Sequence, residues 1–193
     1  MNGVTNESSL VLVTQNEHKL SELRPLFQEF QIPFSNVSIE KHEVRSDDVE
    51  EISRVAAEYA FSSLGKPVVV DDTGLHIESL NGFPLSYPAF VLRTIGRRGI
   101  LKLMDGIDNR DAVFITAVGY ADGSVSKTFL GTMPGKISHE EIGTAGFGYD
   151  PIFIPEGFER TYAQLEFSEK INVSHRTRAF RKFLIWYQES KSR

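Results

Sequence analysis

The stretch Val68-Val69-Val70-Asp71-Asp72-Thr73-Gly74 constrains this chain more than any other. Consecutive β-branched residues read as a strand buried on both faces, the habit of a sheet with helices on each side. The strand then runs into adjacent carboxylates, a hydroxyl and a glycine. Burying a charge costs several kcal/mol unless it is paired or bound to a metal. Open α/β sheets hold their ligands beyond the carboxyl ends of strands. Asp71 and Asp72 are read as lying at such an end. Either they form an acidic turn, since Asp and Gly favour turns, or they form a site for a divalent cation and a phosphate chain.

The segments before this strand suit a sheet of that kind. Leu10 to Val13 is a short apolar strand, followed by the polar turn Thr14-Gln15-Asn16-Glu17-His18-Lys19. Leu20, Leu23, Leu26, Phe27 and Phe30 then recur at helical spacing. The turn has two readings: Asn16 caps the helix and Lys19 is solvated, or free backbone N–H groups and Lys19 attract an anion. Pro25 inside the pattern predicts a kink or a fresh helix start. Val37 and Ile39 suggest a second strand. Glu40 to Glu51 is dense in charge, mostly solvated surface from which one acid is available as a metal ligand. Val49, Ile52, Val55, Ala56, Tyr59 and Ala60 form an amphipathic helix, and Gly65-Lys66-Pro67 turns the chain into the central strand.

Beyond Gly74, Leu75 to Ile77 suggests another strand, and Asn81-Gly82-Phe83-Pro84 a turn. Tyr87 to Leu103 is helical in two pieces broken near Gly96 to Gly99, with Arg93, Arg97, Arg98 and Lys102 on a solvated face. Asp105 to Arg110 is a polar link. Ala112 to Tyr120 and Ser124 to Phe129 form a hairpin joined at Asp122-Gly123. Gly143 to Asp150 is a glycine-rich turn, and Pro151 to Pro155 a short edge strand. The last helix starts near Ser174 with Phe180, Phe183, Leu184 and Tyr187 on one face. His175, Arg176 and Arg178 crowd the end where the helix dipole is already positive. An anion bound there would explain them, with Lys170 just before; so would acidic neighbours brought in by the fold. The anion is the favoured reading.

The chain has 193 residues, enough for one compact domain or two small lobes sharing a cleft. A net charge of -5 argues against a general nucleic-acid binder. The absence of cysteine rules out disulfides and thiolate metal sites and suits a cytoplasmic protein. Nothing approaches the roughly 20 apolar residues of a membrane span. Residues 1–9 read as a frayed polar tail, and residues 10–193 as a single α/β domain in two lobes, with a mixed central sheet and flanking helices.

Taken together, Thr14 to Lys19, Val70 to Gly74, Gly146-Phe147-Gly148-Tyr149-Asp150-Pro151-Ile152-Phe153, Ser168-Glu169-Lys170 and Ser174-His175-Arg176 resemble the inosine triphosphate pyrophosphatase family. The likeness runs from Leu10 to Tyr187. The Phe83-Pro84 and Arg93 to Gly96 region is most similar to archaeal-type members. The resemblance implies hydrolysis of non-standard purine nucleoside triphosphates, such as those of inosine and xanthosine, to the monophosphate and pyrophosphate. It implies a homodimer with the nucleotide in a cleft between lobes. Thr14, Gln15, Asn16, Glu17, His18 and Lys19 would wrap the triphosphate, with Thr73 close by. Asp72 would bind Mg2+ and help activate water, with Asp71 beside it and Glu43 as the second metal ligand. Phe147 would stack on the purine, while Gly148, Tyr149 and Asp150 line its pocket. Lys170, His175 and Arg176 would reach the nucleotide from the other side.

Some positions depart from the family pattern. Gln15 stands where glycine is common, Ala56 where many members carry a substrate lysine, Leu85 where a glycine follows Pro84, and Ile171 where asparagine often follows Lys170. The chemistry remains coherent. Carboxylates suit magnesium, lysines stabilise phosphate charge, and Arg176, which offers only donors, suits the 6-oxo acceptor of inosine and rejects the 6-amino group of adenine. The rival readings are a Maf-type pyrophosphatase of other modified nucleotides and a nucleotide-binding regulator with weak turnover.

Overall fold

Leu-Val-Leu-Val in β1 (Leu10–Val13) is buried along its whole length, because helices cover both faces of the sheet it joins. The structure, a computed structural model, describes residues 10–39 and 44–191; the expected N-terminal tail lies outside the described residues. The remaining elements, in order, are α1 (Glu17–Glu29), β2 (Phe34–Val37), α2 (Val49–Leu64), β3 (Val68–Ile77), β4 (Pro84–Leu85), α3 (Pro88–Thr94), α4 (Gly96–Leu103), β5 (Asp111–Ala121), β6 (Ser126–Ile137), β7 (Phe153–Pro155), α5 (Phe167–Val173) and α6 (His175–Lys191). One mixed seven-stranded sheet runs β2-β1-β3-β5-β6-β7, with β4 beside β3. β1 pairs parallel with β2 and β3, and the other pairings are antiparallel. The α/β fold class read from the sequence is the one observed.

The carboxylates do not lie at the end of a strand. Val68–Ile77 is one continuous strand, in unbroken register with β5, and Asp71 and Asp72 fall in its middle, opposite Val118 and Ala117. The sequence suggests a turn because Asp and Gly are poor strand formers. Tertiary pairing with β5 overrides that local preference. On its other edge β3 pairs with β1 only through Val68 and Val69, and with β4 only through Leu75 and His76. Residues 70–74 therefore span the gap between β1 and β4, and Asp71 lies just past the carboxyl end of β1.

Alternation along β3 sorts its side chains onto two faces. Val69 packs under α1 and α6 with Leu20, Leu23, Phe180 and Phe183, and Leu75 and Ile77 continue the same face into a second cluster with Val91, Phe114, Ile137 and Phe153. Asp71 and Thr73 lie on that face between the two clusters, as a polar belt. Val68 and Val70 face α2, packing with Ala56, Ala57 and Ala60.

Other expectations are corrected in detail. Pro25 does not restart α1, which runs continuously through it. The strand that Ile39 was expected to join ends at Val37. Strand β6 continues past Phe129 to Ile137, through Gly131, Pro134 and Gly135, which hide it from a propensity reading. The loop between β5 and β6 spans residues 122–125, and Asp122 Oδ1 accepts from the Ser124 and Val125 amides at 2.9 and 2.8 Å. The polar link before β5 contains a buried cation: Arg110 donates to the carbonyls of Ile137, Met104 and Ser138 at 2.6, 3.0 and 2.6 Å. The break between α3 and α4 falls at Ile95, beside the expected Gly96, while Gly99 lies inside α4.

Candidate active site

The site assembles at the gap in β3, where the polar belt meets the first turns of α1 and α6 and the loop 143–149. Asn16 caps α1: its Oδ1 accepts from the His18 and Lys19 amides at 3.0 and 3.2 Å, which occupies donors of that helix end. Gln15, Glu17 and His18 are exposed, and Thr14 is buried with its Oγ1 accepting from the Asn16 amide at 3.2 Å. Lys19 is not simply solvated. Its ammonium lies 2.8 Å from Asp71 Oδ2 and donates to the Asp71 carbonyl at 3.4 Å, on the strand edge that β1 leaves open.

From Lys19 an alternating chain of charges crosses the belt. Arg176 Nε donates to Asp71 Oδ2 at 3.3 Å and its Nη1 to Glu22 Oε2 at 2.5 Å. Lys170 Nζ donates to Glu22 Oε1 and to Asp150 Oδ2, both at 2.7 Å. These groups sit on α1, β3, α5, α6 and the turn at Asp150, and apart from Lys19 all are buried. Burial alone would push the Glu22 carboxyl up, but the charges and donors of Arg176 and Lys170 outweigh it and hold Glu22 below the usual carboxylate range. For Asp150 burial wins and its pKa is raised, even with Lys170 and the Phe147 amide opposing. Burial disfavours the Arg176 cation, yet Glu22 and Asp71 more than restore it. The cationic start of α6 is thus neutralised by acidic neighbours. The acidic neighbours that the second of the two sequence readings expects are present at the start of α6.

His175 plays a different part. Its Nδ1 lies 2.6 Å from Thr116 Oγ1, which lies 2.7 Å from Thr73 Oγ1, and its ring stacks on Phe114 with centroids 4.6 Å apart. Burial, then the Arg176 and Lys170 charges, push the imidazole pKa well down, so it is neutral at neutral pH. Gly131 on β6 makes this placement possible: a Cβ there would come within 2.2 Å of the His175 carbonyl, so only glycine lets α6 start this close to the sheet.

The glycine-rich loop brings Phe147 over the charges. Its ring lies 4.7 Å from Lys170 Nζ and 5.6 Å from the Arg176 guanidinium carbon, and it stacks on His18 at 5.0 Å and 9°. The Phe147 amide donates to Asp150 Oδ2 at 2.7 Å. At Gly146 (φ +74°) a Cβ would fall 2.0 Å from that same oxygen, so the loop requires glycine there. Tyr149 was expected in the base pocket. It turns instead into the cluster with Val91 and Phe153, where its hydroxyl donates to the Pro88 carbonyl at 2.8 Å and burial raises its pKa.

Asp71 and Asp72 occupy opposite faces of β3, so they do not converge as neighbours in one pocket. Asp71 belongs to the ionic chain. Asp72 shares the α2 face with Gly74, where a Cβ would meet the Leu85 carbonyl at 2.8 Å and Val49 of α2 at 3.2 Å. Glu43, expected as a metal ligand, lies outside the described residues. Among the described residues no group of three or more His, Cys, Asp or Glu side chains could hold a metal. A hard cation that takes one or two carboxylates and fills its remaining positions with water and phosphate oxygens still fits Asp72. Of the departures from the family pattern, Ala56 is buried against Val11, Val13 and Val70, and Leu85 keeps the left-handed backbone of a glycine, with φ +56°.

The sequence reading missed Glu22, Thr116 and Arg97. Glu22 had a legible signal: it stands one turn after Lys19, on the same helix face. Thr116 and Arg97 had none, since their partners are distant in the chain.

The Ham1 family matches this chain over residues 10–186. The dITP/XTP pyrophosphatase of Saccharolobus solfataricus is 49% identical over 172 residues, covering 89% of this chain and 90% of that protein. That of Methanopyrus kandleri is 46% identical and covers 94% and 97%. Among solved structures, the Staphylococcus aureus Ham1 protein superposes with a TM-score of 0.81 at 26% identity, covering 94% of this chain and 99% of that one. The Mycobacterium abscessus nucleoside-triphosphatase / dITP/XTP pyrophosphatase gives 0.72 at 28%, covering 90% and 97%. The matched span takes in every element that builds the ionic chain and the Phe147 loop, and on that ground the chain belongs to the Ham1 family.

Proposed function

We propose that this protein hydrolyses non-standard purine nucleoside triphosphates, those of deoxyinosine, inosine and xanthosine, to the monophosphate and pyrophosphate. The names of its archaeal relatives support the substrate class. The observation that carries the reading is the Phe147 ring lying against Lys170 and Arg176, with Lys19 and Asp71 at the other end of the same ionic chain. A flat apolar ring beside donor-only cations suits an oxo-purine, and a lysine at a helix start suits its phosphates.

Phe147 stacks on the base after leaving His18. Arg176 donates to the 6-oxo acceptor, while adenine would leave it facing another donor. Glu22 and Asp71 aim the guanidinium, and Asp150 and Glu22 aim Lys170. Lys19 and the turn 14–18 that leads into α1 receive the triphosphate. Asp72 and Glu43 would hold a magnesium ion, which when bound would neutralise phosphate charge and lower the pKa of water. Asp72 or Asp71 takes the proton of the attacking water, and the bond between the α and β phosphates breaks. The protein works as a cytoplasmic homodimer. No helix among the described residues is long and apolar enough to cross a membrane.

The test is a panel of nucleoside triphosphates assayed with magnesium for pyrophosphate release. Inosine and xanthosine triphosphates should turn over far faster than the adenosine and guanosine compounds. Equal turnover, or release of orthophosphate in place of pyrophosphate, would refute the proposal.

A further inference from the structure

The loop that carries Phe147 is gripped from two sides. On the inner side Asp150 Oδ2 accepts from the Phe147 amide and from Lys170. On the outer side Arg97 Nη1 donates to the Gly148 carbonyl at 3.0 Å, while its Nε donates to Glu141 Oε2 at 2.7 Å. Arg97 follows Gly96, at the start of α4. The expectation that it lies on a solvated helix face is only half met, for its side chain is 33% exposed. A half-exposed ion pair adds little stability on its own. What Arg97 fixes is the orientation of one peptide group next to the aromatic ring. Gly148 has φ +62° and lies in the turn closed by the Asp150 amide on the Phe147 carbonyl at 3.1 Å, and Arg97 is the side chain that holds its carbonyl.

We propose that Arg97 is a positioning residue for the purine base. By holding the Gly148 carbonyl it sets the plane of the Phe147 ring across the Lys170 and Arg176 charges, and it acts on the nucleotide through Phe147. The inference rests on the reading of Phe147 as the platform for the base. A guanidinium can bind the carbonyl and the Glu141 carboxylate at once, in fixed directions; an ammonium cannot match that fork.

The experiment is a double-mutant cycle on inosine triphosphate hydrolysis with R97A, F147A and the pair, with thermal unfolding recorded for each. R97A is expected to raise KM about threefold to tenfold with kcat within about twofold, and to add less than about twofold to KM in the F147A background. R97K should recover only part of the loss. An unchanged KM in R97A, an equal rise in both backgrounds, or full recovery by R97K would overturn the proposal. A flat KM in F147A would remove the platform reading itself and this inference with it. A clear F147A effect beside a silent R97A would remove Arg97 alone. Should R97A fail to fold, E141Q, which removes only the partner that steadies the guanidinium, should raise KM about twofold with Phe147 present and not in F147A; no rise overturns the proposal.

Discussion

Asp71 and Asp72 are consecutive in the chain and face opposite sides of β3. Asp71 is bound to Lys19 at 2.8 Å and to Arg176 at 3.3 Å, whereas Asp72 faces α2. Their substitutions should therefore fail differently. D72N is expected to keep the fold and lose about 10²–10⁴-fold in magnesium-dependent turnover. D71N leaves two cations short of a buried partner and should cost about 3 kcal/mol of stability as well. Steady-state kinetics and denaturant unfolding on both proteins separate the roles. Equal loss of stability in the two would contradict the division.

Glu22 holds Arg176 and Lys170 together, and E22Q replaces its charge with an amide that offers one acceptor and unwanted donors. A loss of about 3 kcal/mol in urea unfolding at neutral pH is expected. The wild-type contribution is present above the ordinary carboxylate value of 4.5 and is lost as pH falls through the depressed folded value. The gap between E22Q and wild type should therefore narrow in strong acid. A constant gap would mean that the loss comes from the mismatched amide donors of E22Q and not from the missing charge.

Removing the Arg176 guanidinium should erode base discrimination. R176A is expected to lower the ratio of kcat/KM for inosine over adenosine triphosphate by roughly 10- to 100-fold, the scale of a hydrogen bond to a charged group. Because Arg176 is tied to Glu22 and Asp71, the variant will also be less stable. The ratio taken on one preparation is independent of how much protein is folded. An unchanged ratio places base reading elsewhere.

His175 should make the protein acid-sensitive above the range of its carboxylates. Burial, with Arg176 and Lys170 nearby, depresses its folded pKa well below 6.5. The stability it contributes is complete above 6.5 and declines as pH falls toward the folded value, with a slope approaching about 1.4 kcal/mol per pH unit. Thermal unfolding from pH 7.5 down to 5 should show this slope in wild type and lack it in H175Q. The same slope in both proteins would assign it to another group.

Local pattern was enough to find most elements and several site residues. Apolar spacing located α1, α2 and α6. The Val68–Val70 run located the central strand, and the helix cap at Asn16, one of two readings of its turn, is present. Charge at the helix starts made Lys19, Lys170 and Arg176 candidates for an anion, and the family resemblance assigned them to the nucleotide. Failures came where a distant partner outweighs local preference. Asp71 to Gly74 look like a turn and are strand, because β5 pairs with them residue by residue. Tyr149, which the family resemblance places in the base pocket, is core, and its hydroxyl donates to the Pro88 carbonyl.

The sequence by itself determined which charges exist, their spacing on helices and the period of each buried face, since these depend on covalent geometry and hydrophobicity. Only tertiary structure decided which charge meets which. Glu22, Lys170 and Arg176 are brought together by α1, α5 and α6 closing on one face of the sheet, and Asp71 is parted from Asp72 by strand alternation. The physical reason is that a buried ion pair is worth its desolvation only at contact distance. Contact distance between residues far apart in the chain is a property of packing, which no local pattern encodes.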